Sequence, residues 1–290
     1  MRLAAVVVNW NGGADTPAAL ASLAGVDTVS IDIVCVDNGS TDGSDTVIAE
    51  RFPGVDLIRV GMNLGFAGGC NVGIGRAIER GADWVLLLNS DAVAEPGIAE
   101  ALECAERARP DAGLLACVVL HEDGESVQYA GARFNGLLGY SGRSAVAIPA
   151  QMRDVGRVDG AGFAVSRAAI ERAGLLDERL FAYVEDVEWS LRIREAGFAA
   201  VLVPDARVRH KGSASTGGKR STTNLYYDTR NTIAVSERHH PLPAGLGAVR
   251  RSVIVGAHLV QAGMRGTGMS AVIEGWRDAR RGRLGQRSSR

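Results

Sequence analysis

LAAVVVNWNGG, residues 3–13, is the stretch that decides how this chain folds. Its first part, Leu3–Asn9 (LAAVVVN), is a short apolar run rich in valine, which is typical of a strand buried on both faces of a parallel sheet. Asn11 and the two glycines that follow predict a loop. A second strand of the same kind, Ile31–Asp37 (IDIVCVD), ends in another polar turn. A helix over residues 16–23 joins the two strands into a first βαβ unit.

The alternation of strand and helix continues from there to about residue 120. Strands are predicted at residues 55–60, 84–89 and 113–121, and helices at residues 44–52, 68–80 and 96–107. Such crossovers are right-handed and place helices on both faces of a parallel sheet. We therefore predict an α/β fold with a single Rossmann-like, mostly parallel sheet flanked by helices.

The second half of the chain is less regular. The stretch up to about residue 149 consists either of loops or of a hairpin. Strands are predicted at residues 159–166 and 199–203, the latter ending at Pro204 and resuming at 208–210, and helices at residues 167–173, 185–196, 222–239 and 244–264. The last two helices predict a C-terminal helical extension of the sheet domain.

Composition excludes several classes of protein. The formal net charge of −1 gives no general attraction to nucleic acid, and 46% hydrophobic residues suit a globular fold. The longest uncharged apolar run, residues 252–263, is too short to span a bilayer. No signal peptide precedes the first strand, and the four cysteines, with Cys35, Cys104 and Cys117 in apolar surroundings, show no metal-binding spacing. We expect a cytoplasmic protein with reduced thiols.

The charge is unevenly distributed along the chain. Residues 245–290 carry nine arginines against Glu274 and Asp278, a net charge of +7, which leaves −8 for the rest. This basic tail indicates either peripheral contact with an anionic membrane surface or a solvated helix with a frayed end. The apolar residues 252–263 favour surface association, with core packing or a homodimer contact as the alternatives.

Polar and glycine-rich loops follow four successive strands, and ligands of open α/β sheets bind at that edge. The residues concerned are Asn9 and Asn11 after the first strand, Asp37, Asn38 and Gly39 after the second, Asn63, Gly65, Phe66, Gly68, Gly69 and Asn71 after the third, and Asn89, Ser90 and Asp91 after the fourth. The glycine run matches neither the dinucleotide nor the P-loop fingerprint. It therefore gives no support to an NAD-dependent oxidoreductase or a P-loop NTPase.

Two aspartates at this edge have alternative interpretations. Asp37 either accepts hydrogen bonds from a base or ribose, or caps the following turn. Asp91, after five apolar residues, either holds a divalent cation that bridges two phosphates or caps the next helix.

An acidic cluster begins the helix predicted at residue 185. Glu185, Asp186 and Glu188 either complement the helix dipole or include a catalytic base. Nearby Phe181, Tyr183 and Trp189 predict an apolar wall, which would raise a carboxyl pKa by desolvation. His210 follows a strand, and either contacts a metal or phosphate or is a structural histidine.

Six segments in order resemble the family 2 inverting glycosyltransferases of the GT-A fold, and within them the rhamnosyltransferase-like branch. The segments are residues 6–12 (VVVNWNG), 36–44 (VDNGSTDGS), 63–71 (NLGFAGGCN), 89–92 (NSDA), 181–192 (FAYVEDVEWSLR) and 226–231 (YYDTRN). The resemblance covers about residues 3–235. It implies an enzyme that transfers a sugar from a nucleotide-sugar donor to an acceptor hydroxyl.

The resemblance also implies roles for individual residues. The first strand end and Asp37 would bind base and ribose, and residues 63–71 would line the nucleotide and diphosphate. Asp91 would bind Mg²⁺ or Mn²⁺ with a contact from His210, and Asp186 of the Glu185–Asp186 pair would be the general base. Tyr183 and Trp189 would lie on the acceptor side. The chain departs from the frequent Asp-x-Asp motif at Asn89, which removes one carboxylate from the expected metal site.

The expected donor is dTDP-L-rhamnose or another nucleotide sugar, and the expected acceptor a cell-envelope glycan, a glycolipid or a natural product. We assign residues 1–220 to the catalytic domain, with donor binding in 1–120 and the acceptor and catalytic part in 121–220, and residues 221–290 to the helices and basic tail. A nucleotidyltransferase is the main alternative, although residues 9–13 lack the basic residues it would need. A non-catalytic protein that binds sugar nucleotides is the other.

Overall fold

A computed structural model describes residues 1–24, 31–142, 147–212, 221–263 and 266–288. In its first half, strands β1 (Leu3–Asn9), β2 (Ile31–Asp37), β3 (Asp56–Arg59) and β4 (Trp84–Leu88) alternate with helices α1 (Asp15–Leu23), α2 (Ser44–Arg51) and α3 (Gly65–Glu79). The four strands are parallel in the order β3-β2-β1-β4, with Leu3 beside Ile31 and Trp84. The βαβ pattern predicted from the sequence is present, and the polar ends of these strands share one edge.

Helix α3 packs closely on this sheet because of a glycine. A Cβ at Gly73 would lie 2.3 Å from Cγ1 of Val6. The predicted start of this helix, residue 68, is wrong by one turn: it begins at Gly65, whose φ of +76° suits glycine. Gly68 and Gly69 therefore lie inside the helix and are buried, and the space at Gly69 is taken by Val8.

The second half of the sheet is mixed rather than parallel. Its elements are β5 (Ala92–Ala94), α4 (Ile98–Ala108), β6 (Ala112–Leu120), β7 (Val127–Tyr129), β8 (Phe134–Asn135), β9 (Tyr140–Ser141), β10 (Arg153–Asp154), β11 (Gly162–Ser166), α5 (Arg167–Ala173), α6 (Glu185–Glu195) and β12 (Ala199–His210). Strand β11 lies between β4 and β6 and is antiparallel to both, whereas β12 is parallel to β6. The α/β fold class is confirmed, with parallel pairing concentrated in the first half.

Two predicted features of this half need correction. Strand β12 does not end at Pro204: it continues to His210, and a register shift between Val203 and Arg207 absorbs the proline. In the stretch after β6, the hairpin that was one of the two predicted alternatives is present as β8–β9, and strand β7 precedes it. Cys104, predicted in apolar surroundings, is exposed on α4, whereas Cys35, Cys70 and Cys117 are buried and free.

The C-terminal region forms three helices: α7 (Thr222–His239), α8 (Ala244–Gln261) and α9 (Gly266–Arg280). The prediction of a frayed end is wrong for residues 266–280. These residues form α9, and its Ala271 and Val272 are buried against α7. Several tail arginines have partners: Arg287 pairs with Glu274, Arg251 with Glu237, and buried Arg250 donates to the carbonyl oxygens of Gly136 and His240. The basic tail is thus largely folded onto the protein.

Candidate functional site

The polar residues after β1 and β2 bond to one another at the sheet edge. Asn9 is fully buried, and its side-chain amide donates to Asp37 Oδ1 at 2.8 Å, Ser44 Oγ at 2.8 Å and Ser40 Oγ at 3.0 Å. The backbone N–H of Ser40 donates to the other carboxylate oxygen of Asp37. Asn11, with a φ of 50°, accepts from the backbone N–H of Thr41. These bonds fix the loops on which a nucleotide would rest.

A second amide joins the loops after β2 and β3. The Asn38 side chain donates to Asn63 Oδ1 at 3.2 Å and to the Gly65 carbonyl oxygen at 3.0 Å, and it accepts from the Leu64 N–H at 3.1 Å. Gly39 beside it, at a φ of +77°, lies against the backbone of Met62. The segment that contains Asn63 and Gly65 is thereby held at the same edge.

Asn71 is placed differently from the other predicted donor residues. Its amide donates to the Leu176 carbonyl oxygen at 3.0 Å and to Glu178 Oε1 at 2.9 Å, and its own oxygen accepts from the Leu176 N–H. It ties α3 to the 3₁₀ turn Glu178–Leu180. The observed role of Asn71 is therefore to join two parts of the chain more than 100 residues apart.

Strands β5 and β12 bring the two predicted metal ligands together. Asp91 Oδ1 lies 3.1 Å from His210 Nε2, and the Asn89 amide nitrogen lies 3.5 Å from the same ring nitrogen. Ser90 occupies the turn between Asn89 and Asp91. The other ring nitrogen, Nδ1, lies 3.3 Å from Gln128 Oε1. A proton on Nδ1 would donate to Gln128 and leave the Nε2 lone pair facing Asp91, as a metal ligand requires.

Asp91 and His210 are spaced like two ligands of one divalent cation. Two ligands of one octahedral Mg²⁺, each at about 2.0–2.1 Å, lie about 3 Å apart, close to the separation of Asp91 and His210. Within the described ranges, no group of three or more His, Cys, Asp or Glu side chains is placed to hold a metal ion. Asp91 and His210 therefore suit a cation whose other ligands are phosphate oxygens. They do not surround a cation by themselves.

The loop before α6 has an unusual backbone. Phe181, Tyr183 and Val184 all have positive φ values, between 67° and 70°, a region that costs residues other than glycine about 1–3 kcal/mol each. The buried amide of Asn231 compensates by donating to the carbonyl oxygens of Leu180 (2.9 Å), Ala182 (2.9 Å) and Tyr183 (2.7 Å).

Arg230 supports the same loop. It is almost fully buried, its guanidinium lies over the rings of Tyr226 and Tyr227, and it donates to the Leu180 carbonyl oxygen at 2.9 Å. Nη1 of the same guanidinium donates to the Gly285 carbonyl oxygen at 2.6 Å. Helix α7 and the C-terminal segment together hold the loop that leads into the acidic pair.

Asp186, the predicted base, is half-buried and fixed by two backbone donors. Gly160 N–H donates to Oδ2 at 3.0 Å and Val187 N–H to Oδ1 at 2.8 Å. Burial raises the pKa of Asp186 above its ordinary value; the positive charge of Arg157 opposes this and the negative charge of Asp159 adds to it. The net direction is upward, which makes this carboxylate a stronger base than an exposed aspartate.

Glu185 is more deeply buried than Asp186. Burial raises its pKa, and the charges of Asp186 and Asp228 raise it further. Glu188, by contrast, is bound by Arg192 and His239, and these partners lower its pKa despite burial. Of the three acids at the start of α6, Glu188 has a structural role, and the pair Glu185–Asp186 is available for chemistry.

A cavity of about 680 Å³ connects the acidic pair with the predicted metal ligands. Its lining includes the group Asn89, Asp91 and His210, the group Tyr183, Glu185 and Asp186, and Phe66 from the first turn of α3. Trp189 belongs to the core instead: it is fully buried, packs edge-on against Phe163 and donates its indole N–H to the Gly174 carbonyl oxygen. The predicted acceptor wall therefore includes Tyr183 and lacks Trp189.

Several cavity residues were missed by the sequence analysis. Arg157 and Asp159 enter the lining from the segment before β11, and Asn224, Asp228 and Thr232 enter it from α7. A charged pair directly before the glycines of RVDGAG, residues 157–162, was the available signal. For the residues of α7, the only signal in the sequence was that Asn224, Asp228 and Thr232 are polar and spaced by four. The cavity is thus shared by the regions assigned to the catalytic domain and to the C-terminal helices.

The chain is similar to known proteins over most of its length. A family model described as "Glycosyltransferase like family 2" matches residues 1–231. The N-acetylglucosaminyl-diphospho-decaprenol L-rhamnosyltransferase of Mycobacterium tuberculosis is 31% identical over 262 residues, which cover 82% of this chain and 85% of the relative. The dTDP-rhamnosyl transferase RfbF of Shigella flexneri is 26% identical over 238 residues, which cover 77% of this chain and 76% of the relative.

A solved structure shares the fold. The mannosyltransferase PcManGT of Pyrobaculum calidifontis, in complex with GDP-Man and Mn²⁺, superposes with a TM-score of 0.60 over 96% of this chain and 86% of its own. The two sequences are 16% identical, so the likeness concerns the fold.

Proposed function

The chain belongs to glycosyltransferase family 2, and we propose that it transfers L-rhamnose from dTDP-L-rhamnose to a hydroxyl group of a lipid-linked cell-envelope glycan. The GT-A fold and the glycosyltransferase class expected from the sequence are confirmed. The observation that carries the proposal is the placement of Asp186, a half-buried, oriented carboxylate, in one cavity with Asp91 and His210.

The choice of donor and acceptor rests on the relatives. Two of them are named for rhamnose transfer, one from dTDP-rhamnose and one onto N-acetylglucosaminyl-diphospho-decaprenol. The bonded loops around Asn9, Asp37 and Asn38 offer a rigid floor for the nucleotide. The cavity beyond Asp186 offers room for an acceptor sugar.

Asp91 and His210 would hold a divalent cation, with the Asn89 amide beside them. When bound, Mg²⁺ or Mn²⁺ would neutralise charge on the donor diphosphate. Because only one carboxylate is present, phosphate oxygens would have to complete the coordination. We therefore expect metal affinity to be much higher with the nucleotide sugar than without it.

Asp186 would act as the general base of a direct displacement. Its carboxylate accepts the proton of the acceptor hydroxyl while that oxygen forms a bond to the anomeric carbon of the donor sugar. The bond from that carbon to the diphosphate oxygen breaks, and dTDP leaves with the electron pair. The N–H groups of Gly160 and Val187 keep the carboxylate oriented, and attack opposite the leaving group inverts the anomeric configuration.

The direct test is a transfer assay with purified protein. Nucleotide sugars that carry rhamnose, glucose, galactose or mannose are offered with a short-chain alkyl N-acetylglucosaminyl diphosphate, with Mg²⁺, with Mn²⁺ or with chelator. We expect rhamnosylated product of inverted configuration, detected by mass spectrometry and NMR. Preferred transfer of another sugar would overturn the choice of donor, and formation of a nucleotide sugar from a sugar phosphate would favour the nucleotidyltransferase.

We also propose a peripheral membrane contact that is made by the exposed apolar face of α8, within the basic tail. Among the described residues, no helix is long and apolar enough to cross a bilayer. Helix α8 carries no acidic residue, and exposed Leu246, Val249, Val253 and Val260 lie along one stripe. The tip of hairpin β8–β9, with exposed Leu137 and Leu138, is joined to α8 by the Arg250 bond to Gly136.

This apolar face is continuous with the cavity, because Leu138 and Val253 line both. A bilayer that carries the lipid-linked acceptor would thus meet the protein at the cavity entrance. Flotation with anionic vesicles should recover the wild-type protein and Val47→Glu, but not Val249→Glu or Val260→Glu. Val47, exposed on α2, is the matched control. Absence of wild-type flotation would overturn the proposal, and a change of mass in light scattering would assign the face to a homodimer.

A further inference from the structure

Two buried oxygen atoms in the cavity lack hydrogen-bond partners among the described residues. They are Glu185 Oε2, at the start of α6, and Asn224 Oδ1, in the first turn of α7. Both side chains are 6% exposed, and both line the cavity that contains Asp186. A buried acceptor without a donor costs about 1–3 kcal/mol, so proteins rarely keep one without a reason. A donor supplied by a ligand would be such a reason.

The polar stripe of α7 extends this lining. Asn224, Asp228 and Thr232 are spaced by four residues, so they lie on one side of the helix, and all three line the cavity. Asp228 is held in place: Thr232 Oγ1 donates to Oδ1 at 3.2 Å, and His258 Nε2 lies 3.3 Å from Oδ2.

His258 lies beside this stripe. Its Nδ1 lies 2.8 Å from the Ile254 carbonyl oxygen, so both ring nitrogens face acceptors. Burial alone lowers the pKa of His258, but the bonds to Asp228 and Ile254 raise it above its ordinary value. Both carboxylate oxygens of Asp228 thus have partners, whereas no described residue donates to Glu185 Oε2 or Asn224 Oδ1.

We propose that Glu185 and Asn224 form an acceptor-sugar subsite, in which these two oxygens accept hydrogen bonds from hydroxyl or amide N–H groups of the sugar that receives the transferred residue. This inference rests on the proposed function. A neutral sugar fits because it brings several donors. A phosphate group does not, because its oxygens are acceptors and would face the acceptor oxygens of Glu185 and Asn224 and the carboxylate of Asp228. The diphosphate of a lipid-linked acceptor would therefore lie outside the subsite.

The position of Glu185 explains why the subsite would serve the reaction. Glu185 precedes Asp186 in α6, so a sugar held by Glu185 and Asn224 would be beside the base. The hydroxyl that reacts must approach Asp186 to within about 2.6–3.2 Å. Hydrogen bonds at neighbouring positions of the ring would select which hydroxyl is presented. The subsite would thus set both acceptor affinity and the position of the new linkage.

The test compares Asn224→Ala with Thr223→Ala, which removes the neighbouring exposed hydroxyl on the same helix. For Asn224→Ala we expect the acceptor KM to rise about 2- to 10-fold, the effect of one neutral hydrogen bond. Donor binding, measured by thermal shift with dTDP-rhamnose, and donor hydrolysis without acceptor should be unchanged. Thr223→Ala should match the wild type in all three measurements.

A series of acceptors tests the assignment atom by atom. Each hydroxyl of the short-chain acceptor is replaced by fluorine in turn, which removes its donor. One replacement should raise the KM of the wild type and have no further effect on Asn224→Ala. Additive effects at every position, an unchanged acceptor KM, or a loss of donor binding would overturn the subsite. Absence of transfer by the wild type would refute the proposed function instead.

Discussion

The predicted donor loops, which follow β1, β2 and β3, and the base end of the cavity, around Asp186, are built in different ways. In the donor loops, the amides of Asn9 and Asn38 join neighbouring loops that lie 25 to 35 residues apart along the chain. At the base end, the amide of Asn231 reaches back 48 to 51 residues to hold three carbonyl groups of a loop with positive φ values. The donor loops follow from repeated βαβ units, whereas the base end is held in place by α7.

The largest effect is expected from Asp186→Asn, which removes the proposed base. Asp186→Asn should lower kcat by about 10²–10⁴-fold, the usual contribution of a general base. Donor affinity in a thermal-shift titration should stay near the wild-type value, since Asp186 would touch the acceptor. Asp123→Asn, in an exposed turn, serves as the matched control. A variant that keeps wild-type turnover would disprove the assignment of the base.

A matched pair of amide variants sharpens the comparison. Asn231→Ala should lower kcat roughly 10- to 100-fold, because about 1 Å of misplacement of a catalytic group has an effect of that size. Asn38→Ala should mainly raise the donor KM, because it loosens the loops at Asn63 and Gly65.

Steady-state kinetics with each substrate varied in turn distinguishes the two. Each variant loses hydrogen bonds to backbone groups and could be less stable. Thermal melts followed by circular dichroism therefore compare the Tm of both variants with that of the wild type. The same kinetic pattern in both variants would show that the donor loops and the base end are not independent.

The acid limb of the pH profile probes the charges around Asp186. Because its pKa is raised, activity should fall as pH decreases through a value above the ordinary aspartate range of about 3.9. Arg157→Gln removes the charge that opposes this shift, so the limb should move to higher pH. Asp159→Asn removes a charge that adds to it, so the limb should move to lower pH. Shifts in the same direction for both variants would contradict this electrostatic account.

The smallest effect concerns stability. The pKa of Glu185 is raised in the folded protein, so its contribution to stability is complete at low pH and decreases as pH rises from the unfolded toward the folded pKa. At pH 8, Glu185→Gln removes the buried charge and should raise Tm by a few degrees, with about 1 kcal/mol corresponding to roughly 2–4 °C. At pH 4 the difference should vanish. A lower Tm at pH 8 would mean that the charge is stabilised in the fold.

The first half of the fold could be predicted because its signals are local. The ends of β1 and β2 agree with the sequence analysis to the residue, since a buried parallel strand is a continuous apolar run bounded by turn residues. The mixed pairing of β11 could not be predicted, because a strand buried on both faces has the same composition whether its neighbours are parallel or antiparallel.

The same distinction applies to the candidate site. The sequence identified Asp91, His210 and Asp186, and the structure brings all three to one cavity, where their roles stay proposals. It placed Trp189 on the acceptor side, as part of an apolar wall around the acidic pair. Trp189 follows Asp186 by three residues in α6, yet it is fully buried against Phe163, so the helix turns its ring to the core.

The family, the α/β class and the acidic pair can be inferred from the order of residues along the chain, because those features depend on residue type and local order. The cross-link at Asn71, the packing of α9 and several tail arginines onto the protein, and the completion of the cavity by α7 are visible only once the chain is folded. The physical reason is that hydrogen bonds of a buried amide, as of Asn231 to the loop before α6, join residues that no local pattern relates. The acidic pair was visible in the sequence, but the contacts that hold it in place were not.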